Sequence, residues 1–360
     1  MVSFEPASYA HPYGHATTRP GAAGDGVRPL LLTRLRRLAQ DARGGFRGVD
    51  GVVEGGAFDL EAGAVTEAGA EVVEGDGKLR AIAVGRGSGS ELTSFLDGIQ
   101  RACVRLYHGP VPIVHAYAAA VVRVRRGRRM ETLRGAVRGR YHEERELVLF
   151  PFRYVDPEAV AAAGIAYEEM QDTNPPEEAP LPLFPPALHA RAAEAVDRCR
   201  EALERRLAEQ WCDSGDDPGW LLVDGSLTLS PKLAASPRAI GLVKSHRTRF
   251  FDGDDARVLL GLRAGERTSV FRPQTRQVTP VYSWYLRLRS PAGRDVFWGL
   301  VRVEAAATES TLERVDEISR WLLAETAPLA LPDARWDRLI YPIYDCETYL
   351  RARAPNWNGV

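Results

Sequence analysis

The sequence predicts an α/β fold with a mixed central β-sheet flanked by helices and preceded by an N-terminal extension. Three observations carry this reading. Apolar runs rich in strand formers recur at strand length from residue 90 onward. A long amphipathic helix separates the third of these runs from the fourth. The first and fourth runs both close on Asp-Gly. Hydrophobic residues make up 45% and charged residues 26% of the 360, so a packed core is expected, in one large domain or two modest ones.

Residues 1–26 are rich in Gly, Ala, Pro and His without periodicity and read as a disordered tail. Residues 27–90 form an N-terminal arm. Within it, PLLLTRLRRLAQDA (29–42) places apolar groups at helical spacing. Residues 43–90 are Gly-rich with short Val-containing runs, which leaves small strands and a flexible arm both open. The main domain is expected over 91–355. SELTSFLDG reads as a strand ending at Asp97. PVPIVHAYAAAVVRVRR (110–126) is a second strand that runs into a basic turn, and ELVLFPFRYV (146–155) is a third. The Pro-rich TNPPEEAPLPLFPP (173–186) lacks backbone donors and links onward. In the helix at 187–211, Leu, Ala and Val recur on one face and Glu and Arg on the other. WLLVDGSL (220–227) is a buried strand leaving the sheet at a turn. Residues 239–245, 281–289 and 296–305 are further strands, and 312–327 is a helix with an apolar stripe. The first three strands form a meander, and the helix crosses back to lay the fourth beside them.

Composition also excludes. A net charge of −1 argues against a purely electrostatic nucleic-acid binder. No run approaches the roughly 20 apolar residues that span a bilayer. The N-terminus has no charged start followed by an apolar run, so a cytoplasmic protein without membrane partners is expected. Cys103, Cys199, Cys212 and Cys346 are scattered, which disfavours a disulfide framework or a zinc site. No G-x-S-x-G and no P-loop is present, which removes the commonest serine hydrolases and NTPases.

Asp97 and Asp224 each close an apolar strand just before a glycine. If those strands are parallel neighbours, both carboxylates emerge at one sheet end. Carboxylates that converge there hold hard divalent cations such as Mn²⁺ or Mg²⁺, which activate water against a phosphodiester. The alternative is two ordinary Asp-Gly turns. A third carboxylate is expected from the crossover helix, which offers Glu194, Glu201, Glu204 and Glu209. Glu204 lies between Leu203 and Leu207 and is preferred, with Glu201 second. Lys244 follows the next strand and suits a scissile phosphate. Two basic clusters are candidate DNA contacts: Arg123 and Arg125 with Arg126, Arg128 and Arg129, and His246 with Arg247 and Arg249.

FLDGIQR and LLVDGSL, followed by IGLVKSH, GERTSVF, YSWYLRL and IYPIYDCETYL, resemble in their order the NurA nuclease family over roughly residues 90–350. That resemblance implies an RNase H-like, PIWI-like core and a Mn²⁺-dependent DNA nuclease with 5′-to-3′ exonuclease and single-strand endonuclease action. It also implies a homodimer docked on a HerA-type hexameric ATPase, in DNA end resection and repair or in phage defence. By position, Asp97 and Asp224 correspond to metal ligands, Glu204 or Glu201 to the helix carboxylate, and Lys244 to the active-site lysine. The first motif lacks the serine often found after Asp-Gly. The last carries no histidine after Tyr341-Pro342, which leaves Asp345, Glu347 or neither as the final ligand. A catalytically inactive adaptor that binds DNA or a translocase is the alternative. The 29–42 helix and the arm after it are candidate dimer or motor contacts.

Overall fold

A computed structural model describes residues 31–40, 46–54 and 65–355, apart from 86, 88, 128, 136–138, 176–179, 215–218, 276–278, 292–294 and 327–339. The expected tail at 1–26 and the segment 55–64 of the arm lie outside the described residues. The elements that place the site are, in chain order, α1 (Leu31–Gln40), β1 (Phe46–Glu54), β2 (Leu92–His108), β3 (Val111–Arg126), β4 (His142–Phe150), α2 (Pro185–Ser214), β5 (Trp220–Asp224), β6 (Ala239–Val243), β7 (Val281–Arg287), β8 (Leu300–Ala306), α3 (Glu309–Ala324) and α4 (Tyr341–Arg353).

The main sheet runs β4-β3-β2-β5-β6-β8-β7 through its centre. β2, β3 and β4 form the antiparallel meander. The crossover through α2 returns β5 parallel to β2, and β6 lies parallel to β5. β8 and β7 extend the sheet antiparallel. The sheet is therefore mixed, as expected.

Strand periodicity assigns the two faces. Leu96, Val104, Ala118, Ala120, Leu221 and Val223 pack under Ala195, Val196, Leu203, Leu207 and Trp211 of α2. Their neighbours Phe95, Cys103, Tyr117, Ala119 and Leu222 pack under Val315, Ile318 and Trp321 of α3 and under Ile343, Cys346 and Leu350 of α4. The center of the sheet is buried on both sides. This explains its near-continuous apolar strands, such as β3, which is buried from Val111 through Val122.

Several boundaries differ from the sequence reading. β2 does not end at Asp97 but runs on to His108. Pairing with β3 keeps it extended over its whole length, and β1 joins its other edge from Cys103 onward. The third strand lies at 142–150 rather than 146–155, because Pro151 has no N–H to continue the ladder. α2 starts inside the Pro-rich linker, at Pro185, where the first turn tolerates proline. Residues 296–299 form a turn, and the strand begins only at Leu300.

The described strands of the arm that follow join the sheet. β1 pairs with β2, and strands Gly69–Val72 and Ala81–Ala83 pair with Phe271–Gln274 and Glu266–Thr268. Leu31, Leu35 and Leu38 of α1 are buried against Leu106, Ile113, Val148 and Phe150. The apolar stripe that suggested a docking helix is thus covered by the chain's own sheet. Among the described residues, no helix is long and apolar enough to cross a membrane.

Candidate metal centre

The parallel register of β2 and β5 pairs Leu96 with Val223, so Asp97 and Asp224 come next on adjacent strands. Phe95 and Leu222 pack on the α3–α4 face, and by alternation the two aspartates project to that same side. β5 ends there. Gly225, at φ +140, turns the chain out of the sheet in a conformation that strains a side chain. Glu304 of β8, buried, accepts from Ser226 Oγ at 2.7 Å and from the Leu227 N–H at 2.9 Å, which fixes the turn behind Asp224.

The third carboxylate comes from α4. Glu347 is buried, and Asp97, Asp224 and Glu347 each offer an oxygen within 4.8 Å of the others. Cys346 Sγ donates to the Phe95 carbonyl at 3.4 Å and seats this turn of α4 on β2. Lys244, just past β6, donates to Asp224 Oδ2 at 2.8 Å.

Asp97 is the most enclosed member. Its Oδ1 accepts from the Gly98 N–H at 2.7 Å, while Oδ2 is buried without a hydrogen-bond partner. Burial raises its carboxyl well above the ordinary range. Asp224 pushes it further, Lys244 opposes, and Glu347 and Glu204 add to the rise.

Glu204 stands close by but reaches the site from the other face. α2 covers the opposite side of the sheet, and a side chain at Gly98 would clash with Glu204 Oε1. Glu204 accepts from Arg200 at 2.5 Å. Burial lifts its pKa to about 7 against the pull of Arg200, with Asp224 and Glu201 adding to the rise. Glu201 is exposed and lies beside Arg200 at 3.9 Å, apart from the cluster of three acids.

Of the C-terminal acids left open, Glu347 is the one that stands with Asp97 and Asp224. Asp345 instead accepts from Arg123 Nε at 2.8 Å. Arg123, a candidate DNA contact, is thus tied within the chain, and it further donates to Thr132 Oγ1 and the Met130 carbonyl. Arg125 is likewise held, by both Glu325 oxygens at 2.6 and 2.7 Å and by the Leu92 carbonyl. Both arginines are half-buried on β3 and brace α4 and the end of α3. Arg126 and Arg129 are exposed at the turn, and Arg128 lies outside the described residues. His246 stacks on Phe297 at 4.8 Å and on Tyr285 at 6.2 Å. Arg249 pairs with Glu67 and Asp252, and Arg247 is exposed. Sequence reasoning passed over Glu304, whose signal was a lone carboxylate inside an apolar strand.

The donor set suits a hard ion. All three ligand groups are carboxylates, as Mn²⁺ and Mg²⁺ prefer. An octahedral ion with bonds of about 2.1 Å sets its ligand oxygens about 3 Å apart in cis and about 4.2 Å apart in trans. The three carboxylates offer oxygens within 4.8 Å of one another, close enough for one ion to draw together, and an ion would give the unpartnered Asp97 Oδ2 a partner. Compared with known proteins, the chain matches no family model and no curated protein.

Proposed function

We propose that this chain is a metal-dependent DNA nuclease on an RNase H-like core, as its resemblance to the NurA family implies. The observation that carries the reading is the convergence of Asp97, Asp224 and Glu347 from three distant segments, with a buried oxygen left unpartnered. The meander, the crossover helix and the parallel return of β5 beside β2 support the core assignment. Asp97, Asp224 and Glu347 would hold Mn²⁺ or Mg²⁺. The ion, when bound, supplies Lewis-acid activation of water and of the phosphodiester.

The chain's own groups do the rest. Lys244 brings an ammonium to the edge of the acid cluster, where it offsets charge that develops on a scissile phosphate. Glu204, with a pKa near 7, can hold or release a proton beside the cluster at neutral pH. Glu304 positions the turn after Asp224. The same reading carries 5′-to-3′ exonuclease and single-strand endonuclease action, a homodimer, and a HerA-type ATPase partner in repair or defence.

The test is incubation of the purified chain with end-labelled single- and double-stranded DNA in Mn²⁺, Mg²⁺ or EDTA, beside Asp97→Ala, Asp224→Ala and Glu347→Gln. Metal-dependent cleavage that all three variants lose is expected. A wild type that stays inert even when a HerA-type ATPase is supplied removes the nuclease, and the inactive-adaptor reading takes its place.

A further inference from the structure

β2 is paired with β3 along one edge from Ser94 to His108. Among the described residues, its other edge is interrupted. β5 accompanies it only to Leu96, and β1 begins only at Cys103. Among the described residues, no strand pairs with the edge from Gly98 to Ala102 between them. A groove of about 880 Å³ follows this gap. Its walls are α2, with Ala193 and Val196, and α4, with Glu347 and Arg351. One end therefore opens on Gly98 and Glu347, at the candidate metal centre.

The lining combines two chemistries. Ile99, Ala102 and Ala193 present apolar surface, whereas Arg101 and Arg351 are exposed cations at the rim. Arg351 lies 3.2 Å from Glu347 and so stands beside the acid cluster itself. Apolar surface accepts the faces of unstacked bases, and arginines accept phosphates. The volume is that of a small-molecule pocket, enough for a few nucleotides of one strand and too little for a duplex.

We propose that this groove is the track of a single DNA strand, gripped by Arg101 and Arg351 and led past Glu347 to the metal centre. The inference rests on the nuclease reading and names its substrate path. Its test is binding, which needs no catalysis. A fluorescent oligo(dT) of about 12 nucleotides is titrated with the full chain in EDTA, and anisotropy is read. Ala193→Trp fills the groove from an exposed helix position, and Arg101→Glu reverses a rim charge. Arg257→Glu, on an arginine 84% exposed and absent from the groove lining, controls for net charge. Expected is at least a tenfold weaker affinity for both groove variants, no change for the control, and Mn²⁺ binding by calorimetry equal to wild type. Wild-type affinity in both groove variants, or a wild type that does not bind oligo(dT), overturns the inference. Failure of the nuclease reading has a different signature, namely DNA cleavage that Asp97→Ala leaves intact or that never occurs.

Discussion

Asp97 and Glu204 illustrate how a fold can hold acids it would be more stable without. Both sit where burial opposes ionisation, and each is pushed further by other carboxylates. For Glu204 the consequence is measurable. Its pKa moves from an ordinary 4.5 to about 7, so between those values the folded chain keeps a proton that the unfolded chain has released. The stability associated with this group is fully present below pH 4.5. It is lost as pH rises toward 7, by about 3 kcal/mol in total. Urea melts in EDTA across this range, on wild type and Glu204→Gln, isolate the effect. The difference between the two should shift in favour of the variant as pH rises. A difference that stays flat with pH would show that Glu204 titrates normally and is not held in the way described. Lys244 tempers the same crowding at Asp97 and Asp224, and a bound cation would do so more strongly.

Elements decide which acids meet, and here close packing matters as much as charge. Gly98 lets α2 bring Glu204 against β2. A Cβ there would also stand 3.1 Å from the Ala119 carbonyl. Gly98→Ala should therefore destabilise the chain by about 1–3 kcal/mol, as overpacking does. Removing the clashing carboxyl should relieve part of that loss, so Gly98→Ala and Glu204→Ala should couple in a double-mutant cycle. Simple additivity of the two in denaturant melts would sink the idea. The same geometry explains what was legible in the sequence. Apolar runs and an amphipathic helix are local signals, so the meander, the crossover and the Asp97–Asp224 pairing could be read directly. Which face each helix covers is not a local property. Both α2 and α4 carry glutamates, and only the sheet places Glu347 on the face of the aspartates and Glu204 behind it. Asp97 read as the end of its strand because the pairing that keeps β2 extended comes from β3, beyond the motif. Arg123 and Arg125 read as a basic surface because their partners, Asp345 and Glu325, lie some 200 residues on.

At the scale of the whole molecule, the acid cluster ties three distant parts of the chain together. Asp97 lies in the meander, Asp224 on the returning strand, and Glu347 on the last helix. Without a cation the three repel one another, with Lys244 as a partial offset. An ion that binds the folded chain alone stabilises it by RT ln(1 + [L]/Kd), about 2.7 kcal/mol at a hundredfold excess over Kd. In a chain of this size that is a rise in melting temperature of roughly a few degrees. Mn²⁺ should raise the wild-type melting temperature in this way, and EDTA should reverse it. Asp97→Asn should behave oppositely in two respects. It removes a buried acid whose ionisation burial and the neighbouring carboxylates both oppose, so its metal-free form should melt above metal-free wild type. It also removes a ligand, so the Mn²⁺ shift should shrink or vanish. Exposed acids that bind Mn²⁺ weakly give neither pattern, because removal of one of them changes little. Differential scanning fluorimetry on the two proteins, with and without metal, reads both quantities at once. A Mn²⁺ shift that survives in Asp97→Asn places the ion elsewhere. A metal-free variant that melts no higher than wild type means the carboxylates are not crowded as described, and the convergence of the three segments would then need another cause.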